Sequence, residues 1–266
     1  MTYLVIEYYS IINQPFNYYF IMKTFKTILS VACFLIMLPI TTQAQEDESF
    51  IMNLTEFTVK FGHDANFTEG VKKWNKCYKD NNGTDTWNVW HRLQGKGNVY
   101  VLSSRIENWA AMDESDTAGK VCRAIALDFI TPHIESTEFN TTRFMSDYSR
   151  KTALEGMSIV WVNNFKVNNQ MAFNEIVKDV TSTIAKKEGD NRGFWYSVMG
   201  GQGADYFVST PFKDFADLDR DRENVWKIYE SVHGKSKTKD IRERFNATLD
   251  EAWSYTFTLV KDLSMK

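Results

Sequence analysis

Histidine, proline and cysteine are scarce in this chain: four His, four Pro and three Cys in 266 residues. No two histidines stand at the His-x-x-x-His spacing that presents both imidazoles from one helix face, so no metal site is expected. Basic residues do not exceed acidic ones (31 Lys and Arg against 34 Asp and Glu) and are interspersed rather than striped. That excludes the basic face nucleic-acid binding needs. A Gly-x-Ser-x-Gly nucleophile elbow is missing. Beyond Gln45 no apolar run is long enough to span a bilayer.

The N-terminus reads as a targeting segment. Lys23 and Lys26 precede an apolar run over residues 28–40, and Thr42-Gln43-Ala44 offers a small-residue cleavage site. Residues 22–44 are therefore expected to be a signal peptide starting at Met22, with 1–21 an upstream extension from a misassigned start. One long N-terminal anchor is the alternative. A short acidic linker, 45–52, would follow, and the chain would be exported (periplasmic or secreted) with no stable membrane insertion after cleavage. Losing two lysines and one glutamate takes the formal charge from −3 to −4. With Cys33 in the signal, Cys77 and Cys122 remain. They could pair in an oxidising compartment, but Cys77 also suits a core position in the helix-like run Val71, Trp74, Cys77, Tyr78.

What the chain has in quantity is aromatic residues and a repeat. "WHRLQGKGNVYVLSSRIENWAAMD", from Trp90, aligns with "WYSVMGGQGADYFVSTPFKDFADLD", from Trp195, if one residue is inserted in the second Gly loop. The pairs are then Trp90/Trp195, Gly95/Gly200, Gly97/Gly203, Tyr100/Tyr206, Ser103/Ser209 and Asp113/Asp219. Extended without another gap, this register sets Phe139-Asn140 against Phe245-Asn246 and Thr142 against Thr248. Such self-similarity marks an internal duplication.

Each copy predicts the same elements. A period-two strand opens it (Phe57, Val59, Phe61; then Ile159, Trp161, Asn163). A helix follows at 3/4 spacing (Phe67, Val71, Trp74, Tyr78; then Phe173, Ile176, Val177, Val180). Two strands flank the Gly loop, and a short helix starts near Glu107 or Lys213. A longer helical region runs over 118–140 or 224–253. The last strand is clear at Tyr255, Phe257 and Leu259 and much weaker over 148–154.

The order β-α-β-β-α-β is the ferredoxin-like split βαβ arrangement. A sheet covered by helices on one face must bury its other face, and a tandem copy supplies the second sheet. The chain thus resembles the dimeric α+β-barrel superfamily in a tandem-duplicated form, with repeats over 53–154 and 155–266. The resemblance implies an α+β fold: two ferredoxin-like repeats, their antiparallel sheets packed as a fused dimeric α+β barrel. It also implies a monomer that is a pseudo-dimer, or a homodimer. No catalytic motif accompanies it, so it names no enzyme.

Glycines running from strand to strand, with no Lys-Ser/Thr pair after them, fit a hairpin and not a phosphate cradle. His91 lies in a strand where the second copy is read to have Tyr196, which makes it the candidate acid/base residue. His233, before Gly234, suits a helix-end dipole partner. Some haem proteins on tandem ferredoxin-like folds ligate iron through a helix histidine of the C-terminal unit, so the resemblance makes His233 the alternative haem ligand. Among eight Trp, twelve Tyr and nineteen Phe most must fill cores, leaving Trp87, Trp161 and Tyr196 as candidates for a pocket wall. The expected function is binding of a small apolar or aromatic molecule in a barrel or sheet–helix pocket, without a cofactor. The alternatives are a cofactor-independent oxygenase-like enzyme using His91, a haem-binding protein, and a protein-interaction module.

Overall fold

The computed structural model describes residues 49–152 and 155–266; the upstream extension, the signal segment and the first half of the acidic linker lie outside the described residues. The first half runs β1 (Ile51–Val59), α1 (Asp64–Asp80), β2 (Trp87–Arg92), β3 (Asn98–Ile106), α2 (Thr117–Phe129) and β4 (Ile134–Phe144). The second half runs β5 (Ile159–Val167), α3 (Gln170–Glu188), β6 (Phe194–Gly200), β7 (Tyr206–Phe212), the one-turn α4 (Phe215–Leu218), α5 (Val225–His233), α6 (Lys235–Ala247) and β8 (Leu249–Leu259). The strand β1 thus begins inside the stretch read as a linker.

All eight strands close into one antiparallel barrel in the order β1-β3-β2-β8-β5-β7-β6-β4. Each half contributes four consecutive strands, and two seams join the halves. Trp90 opposes Leu259 where β2 meets β8, and Phe144 opposes Tyr196 where β4 meets β6.

Strand alternation sorts the aromatics into two layers. On one face Phe57, Val59, Trp87, Val89 and Tyr100 pack with Phe67 and Tyr78 of α1. Phe165, Trp195 and Tyr206 pack likewise with Phe173 and Val177 of α3. The other face points into the barrel, where Trp90, Val160 and Phe257 form one cluster. Phe50, Phe144, Tyr196 and Phe207 form a second, with successive ring centroids 4.6, 5.5 and 4.8 Å apart. The barrel lumen is therefore packed with side chains, as an eight-stranded barrel allows.

Two points of the repeat register are corrected by the strand pairing. His91 opposes Tyr100 and Ser197 opposes Tyr206, so the two hairpins match at a constant offset of 106 with no inserted residue. Trp90 then corresponds to Tyr196, both facing inward, and His91 corresponds to Ser197. A slip of one residue exchanges the two faces of a strand. The hairpin glycines confirm the constant offset: Gly95 and Gly201, and Gly97 and Gly203, all have positive φ (93°, 126°, 82° and 97°). Glycine is needed there because a Cβ disfavours that backbone region.

Beyond α2 the ungapped register fails. Phe139, Asn140 and Thr142 lie in β4, whereas Phe245 and Asn246 lie in α6 and Thr248 caps it. The counterpart of β8 is β4, at an offset of 115, and not the weak run at 148–154, which begins in a 3-10 turn. The extra residues of the second half build α6. Polar residues on β4 (Glu135, Ser136, Thr137, Glu138) hide its strand period, since most of its outer positions are exposed.

Cys77 and Cys122 form a disulfide between α1 and α2, their Cα atoms 5.9 Å apart. The same two helices touch at Gly70, where a Cβ would come within 2.1 Å of the Phe129 carbonyl oxygen. Of α2, only Ala118 and Cys122 are buried, so the bridge substitutes for an apolar face. The cross-link closes a loop of 45 residues, for which the chain-entropy relation gives about 4 kcal/mol. The double variant Cys77→Ala/Cys122→Ala is expected to lose about 2–4 kcal/mol in urea unfolding, with the barrel's far-UV spectrum retained. An unchanged midpoint would show that α2 docks without the bridge.

Candidate functional site

A cavity lies in the second half, between the outer face of the sheet and its helices, and measures about 410 Å³. Its floor is Asn163 and Phe165 of β5 with Trp195 of β6, which period-two alternation turns outward together. Its wall is Ile176, Val177, Val180 and Thr181 of α3, the successive-turn positions of one helix face. Asn224, Val225 and Trp226, at the start of α5, and Phe245 of α6 complete it.

Its aromatics hold one another in place. Phe165 stacks on Trp195 at 5.7 Å and 15°, Phe245 meets Phe165 edge-on at 5.9 Å, and Trp226 meets Phe245 edge-on at 5.8 Å. Two of the three polar lining residues are already engaged. The Thr181 hydroxyl donates to the Val177 carbonyl at 2.8 Å, and Asn224 Oδ1 accepts from the Trp226 amide at 2.8 Å as the cap of α5. Asn163 is different: its half-buried amide is engaged by no described residue. An amide offers both donor and acceptor. No titratable side chain lines the cavity.

The candidate residues do not converge on this cavity. Trp87 is a core residue, 5.3 and 5.4 Å from the rings of Trp74 and Tyr78, its indole donating to the Leu263 carbonyl. Trp161 shares the outward face of Asn163 but stands 42% exposed and outside the lining. Tyr196 points into the barrel, stacked on Phe207 at 4.8 Å, and burial drives its phenol well above the usual range. His233 ends α5, its ring tilted against that of Tyr229 with centroids 4.3 Å apart and its Nε2 paired to the Thr183 hydroxyl at 2.9 Å.

That arrangement bears on haem. The lining holds no His, Cys, Met or Tyr to serve as an axial donor, and the Nε2 of His233 is committed to Thr183. The lining of this cavity thus supplies no donor for a ligated iron.

His91 belongs to a separate polar chain in the first half. Its Nε2 is 2.8 Å from Asn98 Oδ1, Asn98 Nδ2 donates to Asp64 Oδ1 at 2.7 Å, and the Tyr100 hydroxyl donates to the same oxygen at 2.7 Å. The imidazole stacks on the Tyr100 ring at 4.6 Å. Burial pushes Asp64 up, but the Tyr100 and Asn98 hydrogen bonds and the nearby His91 outweigh it, so the carboxyl titrates below its ordinary value. Burial and the Asp64 carboxylate together hold the Tyr100 phenol high. Sequence reasoning missed Asp64, Asn98 and Asn163, since nothing local marks them. Among the described residues no group of three or more His, Cys, Asp or Glu side chains is placed to hold a metal, and no helix is long and apolar enough to cross a membrane.

No family model and no curated protein matches the chain. Solved structures do. An anthrone oxidase-like protein is 12% identical with a TM-score of 0.50, covering 81% of this chain and 92% of that one. A heme-binding protein from Thermus thermophilus is 10% identical (TM-score 0.46; 80% and 92% covered). A variant chlorite dismutase from Candidatus Nitrospira defluvii, in complex with cyanide, is 8% identical (TM-score 0.47; 82% and 93% covered). At these identities the first similarity shows a shared fold: an α+β architecture around a closed eight-stranded antiparallel barrel.

The depressed Asp64 carboxyl makes a pH-dependent prediction. A carboxyl whose folded value lies below its unfolded value of about 3.9 stabilises the fold above that pH and ceases to as pH falls through the folded value. Asp64→Asn should therefore be less stable than the parent at pH 6, with the gap closing in the acid limb. A gap of constant size from pH 6 to pH 2 would rule this out.

Proposed function

We propose that this is an exported binding protein whose second-half cavity takes a small, flat, apolar or aromatic molecule, anchored at one polar point by Asn163. The observation that carries it is the lining: four aromatic rings, aliphatic walls and the Asn163 amide, which has no partner among the described residues. A volume of about 410 Å³ falls within the usual range for small-molecule sites. Binding is favoured over catalysis because the lining supplies neither a proton acceptor nor a nucleophile. The Cys77–Cys122 disulfide supports an oxidising compartment, in keeping with the signal-like N-terminus.

The barrel is further read as two fused ferredoxin-like units. The strand orders β4-β1-β3-β2 and β8-β5-β7-β6, with matched hairpin glycines, support a duplication. With both sheet faces covered within one chain, a monomer suffices, although a homodimer would also fit. Closure also speaks against the interaction-module reading, which needs an open sheet face.

The second reading, an oxygenase-like enzyme, rests on the His91–Asn98–Asp64 chain and would place its chemistry in the first half, away from the cavity. Anthrone, a tricyclic aromatic ketone suggested by one structural neighbour's name, serves as probe for both readings. Anthrone should quench the fluorescence of Trp195 and Trp226 and raise the melting temperature. Val177→Phe, which extends a ring into the void, should abolish both effects, and Asn163→Val should weaken binding by about tenfold, the order expected for one lost hydrogen bond. Equal binding by the parent and Val177→Phe would refute the cavity as the site. Oxygen-dependent turnover lost in His91→Asn but kept in Val177→Phe would favour the second reading.

A further inference from the structure

Outside both places described above, two histidines seventy residues apart in the chain meet: His63 Nδ1 lies 2.8 Å from His133 Nδ1, with ring centroids 5.1 Å apart. His63 is the residue before α1, and His133 closes the 3-10 turn Thr131–His133 that leads into β4. Neither ring is placed by the other. The Lys60 amide donates to the His133 carbonyl at 2.9 Å, the His63 amide donates to the Lys60 carbonyl at 3.0 Å, and the His133 amide donates to the Ile130 carbonyl at 3.0 Å. The two backbones are thus tied through Lys60.

We propose that His63 and His133 form a two-imidazole site for a divalent late transition metal, copper(II) above all. The spacing is the argument. Two nitrogens at about 2.0–2.1 Å from one ion, in cis positions at a right angle, lie roughly 2.9 Å apart, whereas a tetrahedral ion needs about 3.3 Å. The observed separation fits the square-planar or octahedral case. Imidazole pairs suit copper and nickel, and copper(II) stands highest in the affinity order. Both rings are half-buried, which leaves the remaining coordination positions to water. The Asp64 carboxylate next in the chain is held by Asn98 and Tyr100 and adds negative charge without being a ligand. The Lys60 ammonium, which would repel a cation here, is drawn onto the Pro132 carbonyl at 2.8 Å. In the absence of an ion one Nδ1 donates a hydrogen bond to the other, and on metal binding the donor ring passes to its Nε2–H tautomer, so that both Nδ1 lone pairs face the ion.

Copper(II) chloride titrated into the untagged full chain, followed by electron paramagnetic resonance, should show one tight equivalent, and pulsed measurement should count two coordinated imidazoles. His63→Gln and His133→Gln should each weaken binding roughly tenfold or more by removing one of two nitrogen donors, while His91→Gln and His233→Gln should not. No tight equivalent, fewer than two imidazoles, or equal loss in the His91 or His233 variants would overturn the proposal. The imidazole count on the parent protein decides the matter even if a variant fails to fold.

Discussion

Closure of the sheet is the constraint on which the rest depends. A four-stranded antiparallel sheet with helices on one face leaves its second face and two edges unsatisfied. The seams β2–β8 and β4–β6 remove all the edges at once, and the inward faces bury each other. Trp90, Phe144, Tyr196, Phe207 and Phe257 fill the lumen, and the cavity described above lies outside the barrel, beneath the helices.

There the two halves differ. The first half clamps α1 and α2 with a disulfide and a close approach at Gly70, and its sheet–helix layer is filled by Phe67, Tyr78 and Trp87. The second half spreads its cover over α3, α5 and α6, and the aromatic rings between them stand around a void. The second half's longer connection into its last strand contains α6. The first half is thus compact and cross-linked, and the second encloses a void.

Much of the fold was legible because hydrophobic period is a local property. The alternation of Phe57, Val59 and of Tyr255, Phe257, Leu259, and the 3/4 spacing of Phe173, Ile176, Val177 and Val180, map onto β1, β8 and α3. The strand β4 was read as helix because its outward positions carry Glu135, Thr137 and Phe139 in solvent, so no apolar period survives. The site was far less legible. Asn163 was noted only as the third position of a strand; that its amide lacks a partner depends on α3, α5 and α6 arriving above it. Tyr196 was set against His91 when its true counterpart is Trp90, an error of one residue that hydrogen-bond register alone could expose. That slip, and not any property of His91, made the position look like the point of divergence.

By itself the sequence determined the repeat, the order of most elements, the hairpin nature of the Gly loops and the want of a catalytic signature, because each is written in local period and residue type. Tertiary structure decided which cysteines and histidines meet, which face each aromatic takes and where space is left. Those follow from strand register and from contacts between residues far apart in the chain, such as Cys77 with Cys122 and His63 with His133. Spacing along a chain does not encode separation in space until the sheet has closed.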